Sequence, residues 1–365
     1  MYLDNRKKSY APALVWITLA LFFCAAIFLS VPAGAQKIKQ LPPPPPAPRY
    51  KPKPTPTPEY EVLRVSSNLV VAPVSVTNAQ GQPVLGLKTS DFRIEEDGHP
   101  QEIAQIGDPE QVPLDIALLI DVSGSVVARF AFEQQAAASF LQQVLKPEDR
   151  ATVFAIDETP RMIQQLTTAQ LAAHKLMTVT PSNGYTAFFD SVVAAANYLD
   201  KSSSSGRRRI VVVISDGDDT ARILEVSAVQ NRSDSMKLIG VDAQLQLIRK
   251  AQLDTQREVQ HAEITFYSIN PSGQTMHLNV RTARSEEGME GIAAATGGAA
   301  FVPRNEGELN GIFQRIASEI RSQYLLQYYS NNKSGGASFR RINVSTPAQP
   351  QLHVRSREGY FPKAK

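Results

Sequence analysis

The stretch "LDIALLIDVSGSV", Leu114 to Val126, decides the fold. Its first seven residues form an apolar run broken only by Asp115, with none of the alternation of a half-exposed strand. Such a run fits a short strand covered on both faces, as in a parallel sheet. It ends on Asp121, followed by two hydroxyls at alternate positions, Ser123 and Ser125. Three further runs read the same way: "ATVFAID" at 151–157, "RIVVVISD" at 209–216 and "AEITFYSIN" at 262–270.

Helical patterns fall between and after these strands. "ARFAFEQQAAASFLQQVL" (128–145) places Phe130, Ala137, Phe140, Leu141, Val144 and Leu145 on one stripe. "AFFDSVVAAANYLD" (187–200), "EGMEGIAAATG" (287–297) and "NEGELNGIFQRIASEIRSQY" (305–324) are three more, the last with Asn305 as N-cap before Glu308. "MKLIGVDAQLQLIRKAQLDTQREVQ" (236–260) reads as a long amphipathic crossover helix. Alternating strands and helices predict an α/β fold: a doubly wound, mostly parallel sheet with helices on both faces, about 220 residues long.

The ends of the chain differ from this centre. From Glu61 to about Gly107 the pattern is β: "NLVVAPVSVTN", a turn at "AQGQP", and a hairpin around Asp97-Gly98 in "DFRIEEDGHPQEIAQI". At the C-terminus "QYLLQYYS", "RRINVST" and "QLHVRSR" are strand-like. About forty residues make a thin sheet alone, so the two ends are expected to pair into one small β unit flanking the central domain. The organisation expected is therefore a targeting segment at 1–35, a proline-rich linker at 36–60, a β-rich segment at 61–110, the α/β domain at 113–322 and C-terminal strands at 323–365.

The targeting segment starts with Arg6, Lys7 and Lys8, carries no charge from Ala11 to Ala35, and ends in the small-x-small pattern Ala33-Gly34-Ala35. Two outcomes stay open: cleavage as a signal peptide, or retention of residues 11–31 as a single membrane anchor, since that stretch is just long enough to span a bilayer. Either one predicts an extracytoplasmic location in periplasm, envelope or medium. "LPPPPPAPRYKPKPTPTP" (41–58) favours extended polyproline II and could reach roughly 50 Å at about 3.1 Å per residue. The one cysteine, Cys24, lies in the targeting segment, so the rest of the chain has neither disulfides nor thiolate metal ligands. A net charge of +3 over 365 residues, without basic blocks interleaved with aromatics, argues against nucleic-acid binding. The densest basic run, Arg207-Arg208-Arg209, is read as a solvated strand entry, with a phosphate site as the alternative.

Ligands of a doubly wound sheet bind outside the carboxyl ends of its strands. Three polar clusters belong there: Asp121-x-Ser123-x-Ser125, Thr186 in "NGYTAFFDS", and Asp216 in "ISDGDDT". They offer carboxylate and hydroxyl oxygens with no His or Cys, the donor set of a hard cation and of Mg²⁺ above all. With few acids around the ion, a coordination position stays open for an acidic group of a partner. Blander readings stand beside this one: Ser123 and Ser125 as helix caps, Thr186 as an N-cap, Asp216 as a turn residue. Asp218 and Asp219 read as solvated turn acids, either of which could instead support the ligands from behind, Asp157 as a candidate to orient a coordinated water, and Asp190 as a supporting or packing partner rather than a ligand. His99, His174, His261, His277 and His353 have no ligand spacing.

With these residues in order, the chain resembles the von Willebrand factor type A domain and its metal-ion-dependent adhesion site, whose pattern is D-x-S-x-S, then a Thr, then a strand-end Asp. The resemblance covers roughly 113–322; "DFRIEEDG" and "REGYF" in the flanks are similar to an exported bacterial subgroup. It implies that Asp121, Ser123 and Ser125 contact the ion directly or through water, that Thr186 joins in the ligand-engaged arrangement, and that Asp216 acts mostly through water. It also implies a non-enzymatic module whose Mg²⁺ or Mn²⁺, less readily Ca²⁺, accepts a Glu or Asp carboxylate from a protein ligand. No G-x-S-x-G surrounds any serine, and no His sits near the acid-rich loops. Two other readings are a Mg²⁺-dependent phosphoester hydrolase and an envelope scaffold with a vestigial metal motif. Against the hydrolase, the position two after Asp121 lacks a second carboxylate, and the motif loops carry no lysine.

Overall fold

The computed structural model describes residues 69–222, 241–273, 280–332 and 336–362. The targeting segment and the proline-rich linker lie outside the described residues, as does His277. Among the described residues no helix is long and apolar enough to cross a membrane.

The chain order is β1 (Leu69–Thr77), β2 (Arg93–Glu96), β3 (His99–Gln101), β4 (Ile103–Gly107), β5 (Leu114–Asp121), α1 (Phe130–Val144), β6 (Arg150–Ile156), β7 (Arg161–Thr167), α2 (Ala169–Leu176), α3 (Phe188–Ser202) and β8 (Arg208–Ile214). It continues with α4 (Val241–His261), β9 (Ile264–Ile269), α5 (Val280–Thr296), β10 (Ala300–Phe301), α6 (Leu309–Ser322), β11 (Tyr324–Tyr329), β12 (Arg340–Ser345), β13 (His353–Ser356) and β14 (Gly359–Tyr360).

The central sheet has six strands in the order β10-β9-β8-β5-β6-β7, parallel except for the edge strand β7. All eight residues of β5 are buried, Asp115 and Asp121 among them. On one face Leu114, Ile116, Leu118 and Ile120 pack with Phe140 of α1 and Phe313 of α6, whose rings stack 4.9 Å apart. On the other, Ala117 and Leu119 meet Phe188 and Val192 of α3, Val259 of α4 and Ile292 of α5. Each fully buried Leu, Ile or Phe contributes about 1.5–3 kcal/mol. The long helix is a packed crossover: α4 lies against α3 and α5.

The hydrophobic pattern does not announce β7 and α2. "RMIQQLT" is half-exposed and pairs only with β6, so it has no need of a continuous apolar run. Asn305 opens a 3-10 turn, where its carbonyl accepts the Glu308 N–H at 3.2 Å, and α6 itself begins after Glu308.

The two ends of the chain do pair, in two sheets. One runs β13-β1-β11-β4 and the other β14-β12-β2-β3. Val70, Ala72, Val74, Tyr324, Leu326 and Tyr328 of the first pack on Ile94, Ile342, Val344 and Tyr360 of the second. The Asp97-Gly98 turn has positive φ at both residues, 50° and 79°, as a two-residue hairpin that follows the twist of its strands demands. Buried hydrogen bonds tie this β unit to the α/β domain. The Glu319 carboxylate of α6 accepts from Ser75 of β1 at 3.0 Å, from the Tyr267 hydroxyl of β9 at 2.8 Å, and from Arg355 of β13.

Candidate metal centre

In the central sheet β5 feeds α1 and β6 on one side, while its other neighbour β8 leads on to β9. The connections diverge between β5 and β8, and the crevice of a doubly wound sheet opens at that point. The last register pair there is Ile120 with Ile214, so Asp121 and the Ser215-Asp216 pair emerge side by side from the carboxyl ends.

Asp121 has no exposed surface. Its Oδ1 accepts the Ser123 backbone N–H at 2.9 Å and its Oδ2 the Ser215 hydroxyl at 2.7 Å, with a further hydrogen bond from the Ser123 side chain. Burial pushes its carboxyl up despite these donors. Asp216, half-buried, is pushed up to about 6 by burial and by the negative charge of Asp121; its Oδ1 accepts the Asp218 N–H at 3.1 Å. Arg129 is near enough to favour both ionised forms, yet it hydrogen-bonds Glu133 at 2.7 Å and Ser272 at 2.9 Å. Among the described residues neither Asp121 nor Asp216 makes an ion pair.

Ser123 is 5% exposed and extended, and leads into a 3-10 turn, Gly124–Val126, without capping it through its side chain. The capping alternative is therefore not what this serine does. Ser125 lies in that turn; its side chain is outside what is described. The turn abuts the loop that carries Thr186, since a Cβ on Gly124 would lie 4.0 Å from the Asn183 Cα, and the Ser182 N–H donates to the Val122 carbonyl.

Thr186 is 3% exposed. It is not the N-cap of α3, which is Ala187. Its N–H donates to the Thr220 hydroxyl at 2.7 Å and its carbonyl accepts the Ala221 N–H at 3.2 Å. The loop after Asp216 thus holds the loop that carries Thr186. The turn between them needs Gly217: its φ is +77°, and a Cβ there would fall 2.8 Å from the Met289 methyl.

Several acids near the site have other occupations. Asp219 is 5% exposed rather than solvated: its carboxylate accepts the Phe189 N–H at 3.0 Å and the Arg222 N–H at 3.1 Å, so it caps α3 from another loop. Asp190 pairs with Arg222 at 2.6 Å. Asp157 accepts from the Ser182 hydroxyl at 3.0 Å, and Arg161 lies 3.4 Å from it. His99, His174, His261 and His353 are exposed, and among the described residues no three His, Cys, Asp or Glu side chains gather to hold a metal. A cation here would have to draw on hydroxyls as well as on the two carboxylates. This donor set fits a small hard ion, and the unbalanced charge of Asp121 and Asp216 gives such an ion something to neutralise.

Ser215 and Thr220 are the holders that sequence reading missed. Ser215 had a signal, because it lies directly before Asp216 at the end of an apolar strand. Thr220 had none.

Residues 116–218 match the family model for the von Willebrand factor type A domain. No curated protein matches the chain. Among solved structures it is similar to the PilB minor pilin from Streptococcus sanguinis, at 13% identity over 58% of this chain and 62% of that one, with a TM-score of 0.41. The chain thus spans less than two thirds of that pilin. The vWF domain of the type V pili tip protein Mfa5 from Porphyromonas gingivalis is 13% identical over 57% of this chain and 95% of that one, with a TM-score of 0.40. A von Willebrand factor type A protein from Catenulispora acidiphila is 13% identical over 81% of this chain and 64% of that one, with a TM-score of 0.43. The central α/β domain, built around the segment that the family model matches, is a von Willebrand factor type A domain.

Proposed function

We propose that the domain binds a protein partner through a divalent cation held by oxygens of Asp121, Ser123, Ser125, Thr186 and Asp216, and that it catalyses no reaction. One observation carries this reading: two neighbouring carboxylates at the switch point take hydrogen bonds from hydroxyl and N–H donors alone, and among the described residues no cation pairs with either. Such a pair is costly without a positive charge between its members. Mg²⁺ or Mn²⁺ suits so small a set of acids better than Ca²⁺, which gathers six to eight oxygens.

A cation bound there would supply an electrophilic position that a Glu or Asp carboxylate of the partner can occupy. The chain's own residues do the rest. Ser215 fixes the rotamer of Asp121, and Thr220 fixes the backbone of Thr186. The basic start and apolar run of residues 1–35 support export, so the partner would be met outside the cytoplasm. The proline-rich linker would hold the domain away from the membrane if residues 11–31 stay in place.

Calorimetric titration of Mg²⁺ and Mn²⁺ into the full chain tests the reading, with Asp121→Ala and Thr186→Ala alongside. Saturable binding of one ion that Asp121→Ala removes is expected. A folded wild-type chain that takes up neither ion overturns it.

A further inference from the structure

At the pole of the sheet opposite Asp121, a cleft of about 670 Å³ lies between the amino ends of β8 and β9 and strands β1, β11 and β14. Ligand pockets have this size. Part of its wall is apolar, with Leu69, Val71, Ile264, Leu325 and Phe361. Its charged side chains are Arg207, Arg208, Arg209 and Arg357, and among the described lining residues there is one carboxylate, Glu263. The run read from sequence as a solvated strand entry is thus three-quarters of a mostly covered arginine cluster: the side chains of Arg207, Arg209 and Arg357 are 15%, 10% and 11% exposed.

The negative charge available to these guanidiniums is small. Arg207 pairs with Asp115 at 2.8 Å, but Arg150 takes the same carboxylate at 2.7 Å. Among the described residues Arg208 hydrogen-bonds neutral groups, the Ile320 carbonyl at 3.0 Å and the Gln323 side chain. Arg209 reaches Asp200, which is half-exposed. Arg357 donates to the Val71 carbonyl at 2.8 Å and stands 3.8 Å from Glu263. The Nε groups of Arg209 and Arg357 are buried with no acceptor. Burial pushes Arg208 down to about 10 and lowers Arg357 as well, outweighing the pull of Asp149 and Glu110 on the first and of Glu263 on the second. Guanidinium stays protonated at neutral pH, so only an incoming anion can restore the balance.

We propose that this cleft binds an amphiphilic organic anion, its carboxylate or phosphate head among Arg208, Arg209 and Arg357 and its apolar body along Leu69, Ile264 and Leu325. Guanidinium forks match both kinds of head, and the apolar wall selects against a bare inorganic ion. The site does not depend on the metal centre.

The test is calorimetric titration of the full chain with decanoate, decyl phosphate, decanol and inorganic phosphate, for wild type, Arg357→Gln and Val71→Glu. Val71 is 37% exposed and lines the cleft, so its substitution adds a repelling charge at little cost in folding, should Arg357→Gln fail to fold. One decanoate or one decyl phosphate per chain is expected, and the tighter of the two identifies the head. Each variant should weaken it about tenfold or more, and decanol and inorganic phosphate should bind at least about tenfold more weakly. The proposal is overturned if neither amphiphilic anion saturates the wild type, or if decanol or inorganic phosphate binds as tightly. Undiminished affinity in both variants overturns it too.

Discussion

Asp115 and Asp121 lie on the same strand, β5, both without exposed surface, and their carboxyls are driven in opposite directions. Burial would raise both. At Asp115 it is overcome by hydrogen bonds from Arg150 and Arg207 and by the charge of Arg207, which hold the carboxyl below its ordinary 3.8. At Asp121 the donors are a backbone N–H and two serine hydroxyls, and burial wins. The amino ends of the sheet hold acids already matched with guanidiniums, Asp149 with Arg321 among them. At the carboxyl ends the two acids that flank the switch point, Asp121 and Asp216, have no such match. The buried acids of one pole are met by the chain's own guanidiniums, while among the described residues those of the other pair with no cation.

Removing the charge at each pole should break this symmetry. Asp115→Asn strands two guanidiniums and should cost about 3 kcal/mol in denaturant unfolding at pH 7. Asp121→Asn in metal-free protein removes a buried charge that no described cation pairs with, and should stay within about 1 kcal/mol of wild type. Equal losses would mean that Asp121 is satisfied without a cation. Acid should narrow the gap between them. A carboxyl with a lowered folded-state value stabilises the fold above its ordinary 3.8, and that contribution disappears as pH falls through the lowered value. The deficit of Asp115→Asn should therefore shrink below about pH 4, where wild type loses the same interaction.

Mg²⁺ should sharpen the contrast. At about one hundred times its dissociation constant an ion that binds only the folded chain adds about 2.7 kcal/mol to the unfolding free energy. Wild type and Asp115→Asn should both gain it, and Asp121→Asn should gain nothing. A gain in all three would put the ion somewhere other than the carboxyl ends of β5 and β8.

The same contrast explains what was legible in the sequence. Continuous apolar runs announce β5, β6, β8 and β9, because strands covered on both faces must be apolar throughout. The strand-end positions of Asp121 and Asp216 follow from those runs. The hairpin at Asp97-Gly98 was legible because few other residue pairs accept its backbone. The edge strand β7 was not, since an edge with one partner tolerates Gln164 and Gln165. Asp219 was misjudged because a run of turn acids looks solvated until the helix it caps, α3, is seen to start beside it. The arginine cleft was illegible for a related reason: Arg207, Arg208 and Arg209 enclose a cavity only because β1, β11 and β14 fold back over them from the two ends of the chain.

The smallest effect expected is at Ser215, and it separates a holder from a ligand. Its hydroxyl donates to Asp121 Oδ2 at 2.7 Å and accepts the Gly217 N–H at 3.0 Å, joining the two strand ends that carry the acids. Ser215→Ala frees that carboxylate oxygen and leaves the Gly217 N–H unmet, at a cost to folding of about 1 kcal/mol. Removing a group that orients a metal ligand typically weakens the metal about tenfold or more. Calorimetry should show Mg²⁺ affinity down by about that factor, with one ion still bound per chain, and Ser215→Thr should restore most of it because the hydroxyl returns. Affinity lost as completely as in Asp121→Ala would make Ser215 itself a ligand. Unchanged affinity would leave it a packing residue that fixes the turn at Gly217 and nothing more.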